Sequence, residues 1–388
     1  MAESDEGMLP PLQKSLPSST YADPQWFARE REALFAPNWF CAGREEDVAA
    51  GSAIVIELLG QSVIVARLAD GALRAHYNVC RHRGSQLCGS DAKWGLTLNG
   101  GIDRQFIRCP YHQWTYGLDG QLVSAPHVGR TAGFDPAQMS LYPVGIARWG
   151  GFYFLKLAPQ PGDELGRELG EEDIGPAPRR LANYPLDRLI TARTISYDVD
   201  ANWKLIAENY NECYHCGGVH PELCEVVPLF RKGGGFDLDW ENGIPHREGA
   251  WTFTFSGTTN RAPFGGLNEH ELVRHKGELI YPNLMLSMAA EHGAAFLLWP
   301  LSPERTRVEC RFLFDPAEAA KPDFAPEDAA DFWDITNRQD WAVCERVQKG
   351  MAQRVHQHGY YAPMEDASLD IRRYLEKHMD LEKHMGAV

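Results

Sequence analysis

Two short segments carry cysteine and histidine in an order that obliges distant loops to meet. They are Cys80-Arg81-His82 and Cys109-Pro110-Tyr111-His112, and each holds one cysteine and one histidine. Thiolates and neutral imidazoles are metal ligands, and four of them on one centre tie two loops together as a condition of folding. Such a set suits a tetrahedral structural zinc. It also suits a [2Fe-2S] cluster in which the cysteines hold one iron and the histidines the other. Imidazole adds no negative charge, so that cluster accepts an electron at a higher potential than an all-cysteine one. Zinc fingers usually pair Cys with Cys and His with His, so one of each in both halves favours the cluster.

The flanks sharpen this reading. Asn78-Val79-Cys80-Arg81-His82-Arg83-Gly84 through Cys109-Pro110-Tyr111-His112-Gln113-Trp114-Thr115-Tyr116 closely resembles the N-terminal domain of Rieske non-haem iron oxygenases. Gly84, Pro110 and Gly117 fit the tight turns needed where two ligand loops close over one cluster. The 26 residues between His82 and Cys109 exceed the family's usual spacing and read as an inserted hairpin. Trp94 to Leu98 and Ile102 to Ile107 are its expected strands, with Asn99-Gly100-Gly101 as the turn.

A second constellation lies in the C-terminal half. In Asn202-Trp203-Lys204-Leu205-Ile206-Ala207-Glu208-Asn209-Tyr210, the residues Trp203, Ile206, Ala207 and Tyr210 fall on one helical face. His215 and His220 follow, and five positions on a regular helix would leave them about 140° apart. They share a metal only if the helix ends or unwinds between them. Gly217-Gly218 is the expected break, and an underwound turn is the alternative. Two ordinary polar histidines at a helix terminus is the plain reading of this pair taken alone.

The run Glu208-Asn209-Tyr210-x-Glu212-x-Tyr214-His215-x4-His220-Pro221 is similar to the mononuclear iron motif of the same oxygenase family. That resemblance implies His215 and His220 as two ligands of a 2-His-1-carboxylate Fe(II) site, which leaves positions open for O2 and substrate. Residues 329 to 355 read as a long helix, and Asn337-Arg338-Gln339-Asp340-Trp341 resembles the segment supplying the carboxylate. Asp340 shares a face with Trp333, Val343, Cys344 and Val347, and an inward carboxylate needs a partner. Glu345, Asp334 and a buried ion pair remain alternatives. Glu212 stands where most of the family has an aspartate bridging a cluster histidine of a neighbouring subunit to an iron-ligating histidine. The resemblance therefore implies a ring-shaped homotrimer, with His112, or alternatively His82, facing the bridge.

Glutamate at this position, with Cys213-Tyr214-His215-Cys216 and Asn337 to Trp341, is most like the subgroup acting on glycine betaine, choline, stachydrine and carnitine. The resemblance covers most of residues 20 to 380. It implies a monooxygenase that demethylates a quaternary ammonium compound with O2. Such a substrate offers no proton, so aromatic faces must recognise it. Trp251, Phe253, Phe255, Phe264, Tyr281, Phe296 and Trp299 are candidates, and most strand aromatics serve packing. An aromatic-ring dioxygenase is the enzymatic alternative. A Rieske electron carrier without oxygenase chemistry is the other, but it would not need the second domain.

The chain is long enough for two cores, and its patterning changes along its length. Asp23 caps a short helix beginning at Pro24, with Phe27, Leu34 and Phe35 as its apolar contacts. Short alternating runs, among them Ala53 to Leu58 and Val63 to Ala66, continue to a buried strand at Gly150 to Leu157. Long strands and two helical runs come after a Pro/Gly/Glu-rich connector at 158 to 180. The expectation is an α+β chain: a segment 1–38 packing on the catalytic domain, an all-β Rieske domain at 39–157, and a helix-grip catalytic domain at 158–388, an antiparallel sheet with a long helix.

The net charge of −15 argues against nucleic acid as a partner. No apolar run approaches the ~20 residues of a membrane span. The acidic start and nine scattered cysteines point to a cytoplasmic protein in which Cys41, Cys88, Cys213, Cys216, Cys224, Cys310 and Cys344 are free thiols. No Gly-x-Gly-x-x-Gly fingerprint occurs, so electrons from NAD(P)H must come through a separate flavin/iron-sulfur reductase.

Overall fold

The structure, a computed structural model, describes residues 9–89, 101–103, 105–236 and 238–379. It divides into two compact units, residues 35–173 and residues 1–34 with 174–388. The first is all β. Its main sheet runs in the order Phe40–Arg44, Phe152–Lys156, Pro143–Trp149, Leu73–Tyr77, Gln61–Arg67, Ser52–Leu58. Val63 to Ala66 of Gln61–Arg67, paired on both sides, are fully buried, as a largely β-branched strand inside a sheet should be. The stretch 158–173 lies in this unit, because Arg167–Glu168 adds a parallel strand to Pro143–Trp149 and Asp163 pairs with Lys156 at 3.0 Å.

A smaller sheet in the same unit is made of Gly101–Asp103, Phe106–Arg108, Thr115–Gly117 and Leu122–Ser124. Ile102 to Ile107, expected as one strand, is two: Gly101–Asp103 folds back antiparallel on Phe106–Arg108. The proposed partner strand Trp94 to Leu98, with Asn99 and Gly100, lies outside the described residues.

The larger unit is built on a six-stranded antiparallel sheet ordered Ile190–Val199, Arg305–Phe314, His292–Ser302, Leu284–Met288, Arg274–Ile280, Ile244–Pro245. The helix Glu327–Met351 lies against it: Tyr197 on the first strand donates to Asp334 at 2.7 Å and meets the Trp341 ring at 6.0 Å. This helix stops four residues before the expected end, and Val355 is exposed.

The N-terminal piece belongs to this unit. Asp23 caps Pro24–Arg29 by accepting from Gln25 N, and the chain continues as a π turn over Glu30–Phe35. Glu30 is fully buried there. Its carboxylate accepts from Trp26 Nε1 at 2.7 Å, Trp203 Nε1 at 3.0 Å and Lys204 Nζ at 2.6 Å. These bonds join the first helix to Trp203–Tyr210, the helix that leads into His215. Burial lowers the Lys204 pKa although Glu30 opposes it, so the ion pair depends on its full set of donors. No helix among the described residues is long and apolar enough to cross a membrane.

Candidate metal centres

The two Cys/His loops of the β unit share one backbone plan. Cys80 N donates to Ser85 O at 2.8 Å while Gly84 N returns to Cys80 O at 3.1 Å. Likewise Cys109 N donates to Trp114 O at 2.8 Å while Gln113 N returns to Cys109 O at 3.1 Å. The fourth residue after each cysteine is left-handed, Gly84 at φ +72° and Gln113 at φ +62°. Gly84 was legible as a turn residue, but its counterpart is a glutamine. Gly117, expected in a turn, lies at the end of the strand Thr115–Gly117.

Both cysteines are buried in one apolar cluster with Ile107, Trp114, Tyr116 and Leu118. The Tyr116 hydroxyl reaches Cys80 Sγ at 3.3 Å and accepts from Arg81 N at 3.2 Å. The histidines sit exposed above them. Their rings lie 4.6 Å apart, with His82 stacked on Trp114 at 4.9 Å. Burial raises the Cys80 thiol pKa, with Tyr116 opposing it. Burial, with His112 and Arg83, lowers that of His82. Two thiols inside and two imidazoles outside fit a cluster with one iron at each end.

In the larger unit the helix Trp203–Tyr210 begins at Asn202, whose side chain caps Lys204 N. It stops before His215. A second, short helix covers Cys216–Val219, and a third covers Pro221–Val226. Gly217-Gly218, expected as the break, lies inside the short helix. The break comes at His220, at φ −118° and ψ 74°, because Pro221 pushes the residue before it out of the helical region. Gly217 serves close packing instead: a Cβ there would meet Arg231 Cβ at 3.3 Å.

This path brings His215 Nε2 within 3.2 Å of His220 Nε2. Asp340 Oδ1 lies 2.8 Å from His220 Nε2 and 3.3 Å from His215 Nε2. Metal–ligand bonds of about 2.1 Å give adjacent donors about 3.0 Å apart, so these three atoms form a triangle of the size that caps one face of an octahedral ion. Glu345 and Asp334 do not join it. Glu345 accepts from Asp200 N, and Asp334 from Tyr197 and Arg338. Cys216 also lies close to the two histidines, but it is disulfide-bonded to Cys213 and has no thiolate to offer. That bond corrects the expectation of free thiols at 213 and 216: a turn three residues long brings their Cα atoms to 4.8 Å, within bridging range. Val347, expected on the inward face with Asp340, is exposed.

Electrostatics favour a cation here. Burial works against protonating His215, yet its hydrogen bonds to Asp340 and Glu212 outweigh it and push its pKa up to about 10. The Asp340 carboxyl is likewise held low by the two imidazoles against the effect of burial. Without a metal, the site pulls on a proton where a divalent ion would supply the charge.

Each imidazole is also gripped from behind. Glu212 Oε1 lies 2.6 Å from His215 Nδ1, and Glu212 Oε2 accepts from the Tyr214 and His215 backbone N–H groups. The contact is made within an irregular turn after Tyr210, not across one face of a helix. His220 Nδ1 meets Gln339 Oε1 at 2.8 Å. Sequence reasoning passed over Gln339, although its position beside Asp340 on a packed helix was a signal.

Of the seven candidate aromatics, only Tyr281 and those on His292–Ser302 are on or next to a strand; Trp251, Phe253, Phe255 and Phe264 lie on irregular chain. Phe253 and Phe296 both meet Trp333 of the long helix, at 5.0 and 5.8 Å, and Phe296 meets Tyr210 at 6.2 Å. His246 and His275 flank Phe253 at 5.0 and 4.9 Å. Burial pushes their pKa values down to about 4 and about 3, so both are neutral. Phe255 is exposed, and Tyr281 stacks on Tyr374 instead.

Two family models match the chain: the Rieske [2Fe-2S] domain over residues 38–136, and the ring hydroxylating alpha subunit (catalytic domain) over residues 186–380. The chain belongs to the Rieske ring-hydroxylating oxygenases, as an alpha subunit. It is 31% identical over 381 residues to the glycine betaine monooxygenase oxygenase subunit of Chromohalobacter salexigens, covering 90% of this chain and 82% of that one. It is 29% identical over 346 residues to the carnitine monooxygenase oxygenase subunit of Escherichia coli, covering 88% and 85%.

Among solved structures, a quaternary ammonium Rieske monooxygenase matches in fold with a TM-score of 0.72 at 22% identity, over 95% of this chain and 96% of that one. Naphthalene 1,2-dioxygenase from Rhodococcus sp. gives 0.65 at 21%, over 94% and 93%. The expected α+β architecture, a β-rich Rieske domain and a catalytic domain of antiparallel sheet and long helix, therefore holds. The oxygenase subunit works with a Rieske [2Fe-2S] cluster and a mononuclear non-haem iron.

Proposed function

We propose that this oxygenase subunit hydroxylates a C–H bond next to nitrogen in a quaternary ammonium compound such as a betaine. One atom of O2 enters the methyl group and the other leaves as water, with two electrons from a separate flavin/iron-sulfur reductase fed by NAD(P)H. The hemiaminal formed collapses to formaldehyde and the demethylated amine. The observation that carries the reading is the convergence of His215, His220 and Asp340 within 3.3 Å of one another, in a chain 31% identical to a glycine betaine monooxygenase oxygenase subunit. The iron supplies O2 binding and activation at positions the three ligands leave open.

The protein's own residues have distinct tasks. Cys80, His82, Cys109 and His112 hold the [2Fe-2S] cluster. Glu212 orients His215 through Nδ1 and offers its carboxylate to a cluster histidine, His112, of a neighbouring subunit, which makes the enzyme a homotrimer. The aromatic wall of Phe253, Phe296, Trp333 and Tyr210 suits a cation without N–H groups. With His246 and His275 neutral, that wall carries no positive charge to repel it. Four buried thiols outside any disulfide, Cys88, Cys224, Cys310 and Cys344, support a cytoplasmic location.

The test is a thermal-shift panel on iron-loaded protein with betaines, carnitines, choline, naphthalene and aromatic acids, since a ligand raises stability by mass action. Formaldehyde release is then measured with each binder. A response to aromatics alone, with diol products, would replace this reading with ring dioxygenation.

A further inference from the structure

We propose that Gln339 and Glu222 form a positioning relay that fixes the tautomer of His220, as a neutral counterpart to the Glu212 anchor on His215. The inference rests on the reading of His220 as an iron ligand and extends it to residues no motif assigns. Gln339 Nε2 donates to Glu222 Oε2 at 3.0 Å, while Gln339 Oε1 meets His220 Nδ1 at 2.8 Å. A carboxylate only accepts, so the amide must turn its NH2 toward Glu222 and its oxygen toward His220. An amide oxygen also only accepts, so the proton of His220 must sit on Nδ1. Its Nε2 is then a bare lone pair aimed at Asp340 Oδ1 and His215 Nε2, where the metal binds. The acceptor at Glu222 thus sets which ring nitrogen of His220 carries the proton from one residue further away.

The relay also has a mechanical side. Glu222 lies in the first turn of Pro221–Val226, directly after His220, and Gln339 precedes Asp340 on Glu327–Met351. The same hydrogen bonds that fix the imidazole therefore hold together the two elements carrying His220 and Asp340. The two anchors differ in charge. His215 Nδ1 leans on a carboxylate and His220 Nδ1 on an amide, so only the His215 anchor places a full negative charge on the Nδ1 side of the ring.

The test measures Fe(II) affinity of the full-length protein by chelator competition, with the electron paramagnetic resonance spectrum of the ferrous–nitrosyl adduct as a second readout. The urea denaturation midpoint of the catalytic unit reports folding. Gln339→Met, isosteric but without an amide, should weaken iron binding about 10- to 100-fold and change the nitrosyl spectrum. Glu222→Gln, which lets the amide turn over, should weaken it severalfold. The double variant should be no weaker than Gln339→Met, because both act through one chain of bonds.

Wild-type affinity and spectrum in Gln339→Met would overturn the relay, and so would additive losses in the double variant. If Gln339→Met fails to fold its catalytic unit, the half-exposed Glu222→Gln alone decides: an unchanged affinity overturns the relay. A wild-type protein that takes up no iron overturns the ligand reading and the relay with it. Iron uptake by wild type with no effect of either variant overturns the relay alone.

Discussion

The two metal centres are built in opposite ways. The cluster loops are each complete within a few residues. In both, the cysteine closes a turn through its own N–H and C=O and a left-handed residue follows four places on. The iron triangle has no such local plan. Its donors sit on three short or long elements, with 120 residues separating His220 from Asp340, and it exists only when the long helix packs on the sheet. A local site should tolerate distant damage and fail when a ligand is lost. An assembled site should fail by degrees as its supports are removed.

The largest expected effect is at a cluster ligand. His82→Cys replaces a neutral ligand by an anionic one, so the cluster potential should fall by a few hundred millivolts and product formation should stop. An unchanged spectrum and potential would mean that His82 holds no iron. Next comes Glu212→Gln, which keeps shape but removes charge. Both metals should remain and the reductase should still reduce the cluster, while single-turnover oxidation of the cluster slows by about 100-fold. Near-normal transfer would show that electrons do not pass through Glu212.

Support far from the donors should matter only for the assembled site. Lys204→Met leaves Glu30 buried without its cation and should cost about 3–5 kcal/mol, read as a lower denaturation midpoint of the catalytic unit. Cluster absorbance in the folded protein should be unaffected. A stability within 1 kcal/mol of wild type would remove Glu30 from the account.

The smallest effect concerns pH. Glu208 accepts from Tyr21 at 2.6 Å and Tyr361 at 2.8 Å, and burial outweighs these bonds to raise its pKa from 4.5 to about 7. The folded state therefore holds this proton more tightly than the unfolded one. The resulting stability is complete below pH 4.5 and is lost as pH rises through 7. Partial solvent access limits the effect to on the order of 2 kcal/mol. Wild type should lose that much relative to Glu208→Gln between pH 5 and pH 8 in urea titrations. Parallel profiles would show that Glu208 does not titrate in this range.

What could be read from the sequence follows the same division. The meeting of the Cys80 and Cys109 loops was legible because residue type and spacing alone mark such a local arrangement. Asp23 and Pro24 announced a helix start, since capping is local chemistry. The kink between His215 and His220 was required by geometry but misplaced: the glycines drew attention, while the proline after His220 did the work.

Glu30, Lys204 and Glu208 were not legible as a polar system, because the Glu30–Lys204 pair and the Tyr21 and Tyr361 bonds to Glu208 each span 150 residues or more of sequence. The same holds for Gln339, whose meaning depends on Glu222, 117 positions earlier. The aromatic group around Trp333 was half found: Phe253 and Phe296 were candidates, whereas Trp333 and Tyr210 lie on helices, away from the strand-rich stretch that suggested the others. The Cys213–Cys216 bond depends on a turn that composition does not reveal.

The central claim is that one chain holds two independent metal centres, with Asp340 completing the second. Iron and sulfide analysis of Asp340→Ala, with electron paramagnetic resonance of its dithionite-reduced form, tests it most directly. The account predicts loss of the non-cluster iron and of all product, with sulfide content and the low average g-value of the mixed Cys/His cluster unchanged. Full iron content and retained turnover in Asp340→Ala would contradict it.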